Sequence, residues 1–127
     1  MIKQNVYFNA PPEIIYDILI DEKKHSEVIG AKAKIENKVG GKFSVWDGYA
    51  EGVNLELSQG KKIVQTWWAN DWPKGNVSKV TFNLKDKGKG TELKFVHEDV
   101  PEKFEREIEK GWKEYYWEPL REYLKLR

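Results

Sequence analysis

His25, His97 and Glu51 are the side chains of this 127-residue sequence best suited to acid and base work. A neutral imidazole can take up a proton near physiological pH, and a carboxylate aimed into apolar surroundings has a raised pKa. Glu51 shares strand parity with Val53 and Leu55, so a regular strand would point it inward. The adjacent Gly52 is also the mark of a bulge that would turn Glu51 to solvent, and that reading leads. His97 lies on the parity of Leu93 and Phe95, facing the same interior. If Glu51 and His97 shared one enclosed volume they would form the acid and base of a cyclase or hydrolase; otherwise each histidine is a structural hydrogen-bonding residue. Metal chemistry has no support, because cysteine and HExxH are both absent. The string Lys87-Gly88-Lys89-Gly90-Thr91 misses the spacing of a phosphate loop and reads as a hairpin turn. No GxSxG or GxGxxG occurs, and nothing in the chain calls for a cofactor.

The other candidate chemistry is apolar binding. Six tryptophans, six tyrosines and five phenylalanines are dense for a chain of this length. Strand parity places Phe43, Val45, Val53, Leu55, Val80, Phe82, Leu93 and Phe95 on one face, opposite Phe104, Ile108, Trp112 and Tyr116. Each is accounted for by ordinary core burial, worth about 1.5–3 kcal/mol per large side chain. Together they could also line an apolar cleft, with Phe43, Val45, Trp67, Phe82, Phe95, Phe104, Ile108, Trp112 and Tyr116 as ligand-binding residues. Trp67 and Trp68 are adjacent in a strand, so one faces in and the other out. Trp72, in the Asp71-Trp72-Pro73 loop, is assigned with His97 to the cleft mouth; its alternative is to fold back and pack the loop.

These residues need a scaffold that the rest of the sequence supplies. The β-prone run IKQNVYF leads into Pro11-Pro12 and EIIYDILID, a strand followed by a short helix with prolines in its first turn. DEKKHSEVI reads as a second short helix ending before Gly30. From there to His97 the hydrophobic period is two, interrupted by turns, with Asp47-Gly48 the strongest hairpin signal. Seven antiparallel strands are expected. After Pro101, Phe104, Ile108, Trp112, Tyr116, Leu120 and Leu124 recur at helical spacing over about 24 residues, a helix roughly 36 Å long. Gly111 predicts a close backbone approach, and Pro119 a kink. The class is therefore α+β, one domain over residues 1–127.

Lys and Arg total 22 against 21 Asp and Glu, with the signs interspersed, which argues against nucleic acid as the main partner. No stretch approaches the roughly 20 apolar residues of a membrane span, and the N-terminus lacks the pattern of a signal peptide. A cytoplasmic protein is expected.

The order and spacing of Lys24-His25-Ser26, Gly30-Ala31, Val39-Gly40-Gly41-Lys42-Phe43, Asp47-Gly48-Tyr49, Gly52, Ile63-Val64-Gln65-Thr66-Trp67, Asp71-Trp72-Pro73, Gly90-Thr91, Val100-Pro101 and Gly111-Trp112 with Tyr115-Tyr116 carry a resemblance across nearly the whole chain. It resembles the stand-alone, Aha-type members of the START/SRPBCC superfamily, similar to the C-terminal domain of the activator of the ninety-kilodalton heat-shock chaperone's ATPase. The resemblance implies the helix-grip fold, an antiparallel sheet wrapped on a long C-terminal helix with two short helices at one end. It also implies either an apolar small molecule or a chaperone or other protein as partner. The activators carry a separate N-terminal domain for which this sequence leaves no room, so binding without full activation is expected.

Overall fold

The computed structural model describes residues 1–126. Strand β1, Ile2–Phe8, runs into α1, Pro12–Ile20, whose first turn holds Pro12 where no backbone N–H is needed. Asp21 ends α1 and caps α2, Glu22–Ile29, its side chain accepting from the Lys24 N–H at 2.9 Å. Gly30, at φ 68°, stops α2 in the left-handed conformation that glycine adopts without steric cost.

Six more strands follow: β2, Lys34–Ile35; β3, Lys42–Val45; β4, Ala50–Ser58; β5, Lys62–Ala69; β6, Ser78–Lys87; and β7, Gly90–Glu98. All pairings are antiparallel in a single sheet of order β1-β7-β6-β5-β4-β3-β2. Helices α1 and α2 carry the chain from the β1 edge to the β2 edge. The last segment is a continuous helical run: a 3-10 turn at Glu102–Phe104, α3 at Glu105–Trp112, a π-helical stretch at Lys113–Trp117 and α4 at Glu118–Lys125. Ile108, Trp112, Tyr116, Trp117 and Leu120 are its buried residues, packed on one sheet face. This is the expected α+β helix-grip architecture.

Three local expectations are corrected. The disturbance expected at Pro119 falls just before it: proline cannot donate to the carbonyl four residues back, and the helix widens into the π stretch, with the Glu118 N–H bonding to Lys113 O. The extra residue in that turn lets Tyr116 and Trp117 both face inward. Gly111 makes no close backbone approach, since an added Cβ would meet only the Tyr115 ring, at 3.7 Å.

The third correction concerns β4. Ala50 and Asn54 are buried while Val53 is only half-buried and Leu55 is exposed, so the inward residues are Ala50, Gly52 and Asn54. Asn54 outcompetes the apolar side chains for the inside because it is fully satisfied there: its amide donates to Glu36 O and Lys38 O, and its oxygen accepts from Gln65 at 2.9 Å. The irregularity in β4 lies between Asn54 and Glu56, not at Gly52. Gly52 instead marks a close contact, because a Cβ there would strike the Thr66 carbonyl and the Phe43 ring. Gly52→Ala is expected to cost about 2–3 kcal/mol. A thermal midpoint lowered by roughly 10 °C would report it; an unchanged midpoint would mean that β4 and β5 can part without cost.

The hairpin signal at Asp47-Gly48 is realised, but the left-handed stretch starts one residue earlier: φ is 58° at Trp46, 56° at Asp47 and 92° at Gly48. For a tryptophan this conformation costs about 1–2 kcal/mol. It is held by reciprocal bonds with the loop after α2, Asp47 N to Lys32 O and Lys32 N to Asp47 Oδ1.

Candidate functional site

His97 is fully buried, not at a cleft mouth, and its hydrogen bonds determine its state. The Trp112 Nε1–H can only donate, so it fixes His97 Nδ1 as an acceptor at 3.1 Å. Nε2 therefore carries the hydrogen and donates to Ser78 Oγ at 2.8 Å, while the Ser78 hydroxyl donates onward to Trp67 O. A proton added at Nδ1 would set two donors face to face. Burial, and then the charge of the N-terminal amine, push the pKa of His97 down to about 3. Trp72 is also buried, folded back against the rings of Trp67, His97 and Phe104, so neither residue assigned to the mouth lies there. The Trp72 Nε1 has no hydrogen-bond partner among the described residues.

His25 behaves similarly. Its Nδ1 lies 3.1 Å from Leu19 O, which makes it the donor and leaves Nε2 facing the Tyr116 hydroxyl at 3.4 Å. Burial lowers its pKa to about 4, against the opposing effect of the Leu19 carbonyl. Burial also pushes the Tyr116 phenol up, with a hydrogen bond from the Trp46 side chain acting the other way. A chain of groups thus links Trp46 through Tyr116 to His25. Burial thus holds His25 neutral and Tyr116 protonated at pH 7.

Glu51 pairs with Trp68 across β4 and β5, and directly paired residues share a face. Trp67, its neighbour, is buried with the helix, so Glu51 and Trp68 lie on the opposite, outer face. Glu51 and His97 are therefore on opposite sides of the sheet and cannot serve one reaction volume. Glu51 is solvent-facing as expected, through strand parity and not through a bulge at Gly52. Among the described residues no group of three or more His, Cys, Asp or Glu could hold a metal ion.

The space between sheet and helix is filled. Phe43, Val45, Phe82, Trp67, Trp112 and Tyr116 surround a remnant of only about 10 Å³. That is too small for any organic ligand and is about the room one water needs. Phe95 packs on Trp112 with ring centroids 4.5 Å apart, and Phe104 sits half-buried beside Trp72. Beside it, between the β3–β4 hairpin, Trp67 of β5 and the C-terminal helix, opens a groove of about 300 Å³, lined mainly by apolar atoms of Trp46, Tyr49, Trp67, Glu107, Ile108, Gly111, Trp112, Tyr115 and Tyr116. Trp67, Ile108, Trp112 and Tyr116 were expected at a cleft; Trp46, Tyr49, Glu107 and Tyr115 were not. Aromatic residues on both sides of a tight Asp-Gly turn were a visible signal, but only the tertiary fold brings that turn to the helix. Tyr115 is 56% exposed, and its ring meets Trp46 edge-on at 5.8 Å. At Gly111 the helix carries glycine, at a cost of about 1 kcal/mol relative to alanine. No close packing requires it, and its missing side chain leaves the groove floor open.

Fold and site together define a helix-grip domain with a solid interior and an aromatic groove on its surface. Residues 9–125 match the family described as Activator of Hsp90 ATPase homolog 1-like protein, and the chain belongs to that family. It is 38% identical over 114 residues to an activator of 90 kDa heat shock protein ATPase homolog of Dictyostelium discoideum, covering 88% of this chain and 30% of that protein. It is 30% identical over 115 residues to the human activator homolog 1, covering 91% of this chain and 34% of the relative. The chain thus spans about a third of the length of these curated relatives. Among solved structures, it superposes on an HSP90 activator from Plasmodium falciparum with a TM-score of 0.89 and 26% identity, covering 98% of this chain and 96% of the other. The Aha1 dimer of Colwellia psychrerythraea shares the fold, with a TM-score of 0.78 at 18% identity over 92% of this chain and 90% of that one.

Proposed function

We propose that this chain is a non-enzymatic, co-chaperone-like protein-binding domain that acts in the cytoplasm, with a chaperone of the ninety-kilodalton heat-shock class as its partner and the aromatic groove as part of the docking surface. The observation that carries this reading is the contrast between a filled interior and an open, ring-lined surface groove. A helix-grip domain built to hold a lipid or hormone needs enclosed volume beneath its helix, and here the remnants around Phe82 and around Leu120 are about 10 Å³ each. Exposed aromatic residues beside a pocket are the usual anchors of protein interfaces. The family and the named activators among its relatives support the choice of partner. No described helix is long and apolar enough to cross a membrane. A small apolar molecule remains the second reading, confined to the groove, whose volume of about 300 Å³ is at the lower end for a ligand site.

The test is titration of the chaperone with this chain, reading both association and ATP hydrolysis. Tyr115→Ala is expected to weaken association about tenfold or more, as interface tyrosines often do, and to shift the melting point little because the ring is more than half exposed. Absence of any association with the chaperone would overturn the reading. Native mass spectrometry that finds an apolar molecule retained by the wild type and lost from Tyr115→Ala would favour the small-ligand alternative.

A further inference from the structure

The groove is not only apolar. Glu107 lines it from α3, is exposed, and has no Lys, Arg or His within salt-bridge distance among the described residues. Asp71 accepts from the Tyr49 hydroxyl at 3.1 Å, and among the described residues it too has no Lys, Arg or His within salt-bridge distance. Among the described residues no lysine or arginine lines the groove. The contrast is local, because the chain as a whole is nearly neutral and Glu114, a short way along the same helical run, is paired with Lys110 at 3.7 Å. Tyr49 reports the resulting field: after burial, the charges of Asp71 and Glu107 help to push its phenol up to about 12. Tyr49 stands beside these carboxylates, and Trp46 and Tyr115 line the same groove further along the helical run, all three at least partly exposed. Trp46 is held there by a left-handed backbone that tryptophan otherwise avoids, the kind of local strain that accumulates at binding sites.

Aromatic rings beside an unpaired carboxylate complement a cation on an apolar stem. We propose that the groove receives a basic side chain of the partner polypeptide, arginine in preference to lysine, its stem running along the Trp112 and Ile108 floor past the Trp46 and Tyr115 rings and its head at the Tyr49 ring and the Glu107 carboxylate. Arginine is preferred because its planar guanidinium stacks on rings and offers several donors to a carboxylate at once, whereas an ammonium is a more strongly hydrated point charge. Glycine at position 111 leaves space for the stem. The inference rests on the groove being a protein-docking surface and adds the chemistry of what docks there.

The experiment uses the full chain and the peptide acetyl-Leu-Arg-Leu-amide, followed by NMR through the Trp46 indole and Tyr115 ring signals. Saturable shifts at both rings are expected. Binding of the citrulline twin, neutral but nearly isosteric, should be about tenfold weaker. Glu107→Gln should cost the arginine peptide about three- to fivefold, a loss that shrinks in high salt, while the exposed position leaves the melting point unchanged. Equal binding of the two peptides, or no shift at either ring, would overturn the proposal. So would tighter binding of the lysine peptide, or a stronger response of the same rings to tetramethylammonium, which would mark a small quaternary amine as the occupant. Against the intact chaperone, a loss of binding with Tyr115→Ala but none with Glu107→Gln would keep the docking surface and discard the basic side chain; unchanged binding by both variants would discard the two together.

Discussion

Lowering the pH from 7 to 5 is expected to remove about 4 kcal/mol of folding stability through the two histidines alone. In the unfolded chain each imidazole takes up its proton near pH 6.5. In the folded chain burial delays that uptake to about 4 for His25 and about 3 for His97. Between those limits the unfolded state binds more protons, so stability is full above about pH 6.5 and falls as the pH drops, by about 1.4 kcal/mol per unit for each imidazole. Against a typical total of about 5–15 kcal/mol this is a large fraction. Urea unfolding followed by tryptophan fluorescence at pH 7 and 5 measures it, in a range where ordinary carboxylates still hold their charge. His97→Gln keeps an acceptor for Trp112 and a donor for Ser78 but cannot titrate, so it should remove about half of the dependence. A midpoint that does not move with pH, or a His97→Gln slope equal to that of the wild type, would show that the imidazoles are not buried as described.

The second large effect is expected at Trp112. Its ring lies against those of Trp67, Phe82, Phe95, Tyr116 and Trp117, at centroid distances from 4.5 to 6.1 Å, and its N–H holds the tautomer of His97. Trp112→Ala should cost about 3–5 kcal/mol through lost burial and the cavity left behind, with the orphaned Nδ1 adding to it. Calorimetry should show a transition lowered by roughly 10–20 °C, and near-UV circular dichroism should lose intensity. Trp112→Phe should recover part of the loss, because it refills space without restoring the donor. A Trp112→Ala protein within about 1 kcal/mol of the wild type would mean that the C-terminal helix does not clamp the sheet.

Much of the architecture was legible before any coordinates because the two hydrophobic periods do not overlap. Alternation through KFSVW, KIVQTWWA and TELKFVH can bury one face only as strands, and the three- and four-residue steps from Phe104 to Leu124 can do so only as a helix. Turn residues read equally well where the backbone needed a left-handed conformation, as at Gly30 and Gly48. Strand β4 was misread because parity was assigned by hydrophobicity. Val53 and Leu55 look like core residues, but the inward position belongs to Asn54, whose three hydrogen bonds come from residues distant in sequence. Gly52 was read as a bulge because a glycine inside a strand often marks one, whereas its constraint here is the Phe43 ring and the Thr66 carbonyl.

That rings of the sheet would face rings of the helix was legible in the two periodicities, but whether they would enclose space was not. Side-chain volumes do not say whether rings on a sheet and rings on a helix will stand apart around a ligand or close on each other, since the outcome turns on ångström-scale spacing between the two layers. Here Trp112 closes on Phe95 and Phe82, and His97 and Trp72 are drawn into the interior.

The amino-acid sequence by itself determined the class of fold, the order of its elements, the family, and the lack of cysteine ligands or a nucleotide-binding motif, because periodicity, turn chemistry and residue inventory are local properties. Only the tertiary structure decided that the interior is solid, that Glu51 and His97 lie on opposite faces, and that Trp46 and Tyr49 meet Glu107 and Tyr115 across a groove. Each of these depends on distances between segments far apart along the chain, and those distances are set by how all the side chains fill space at once.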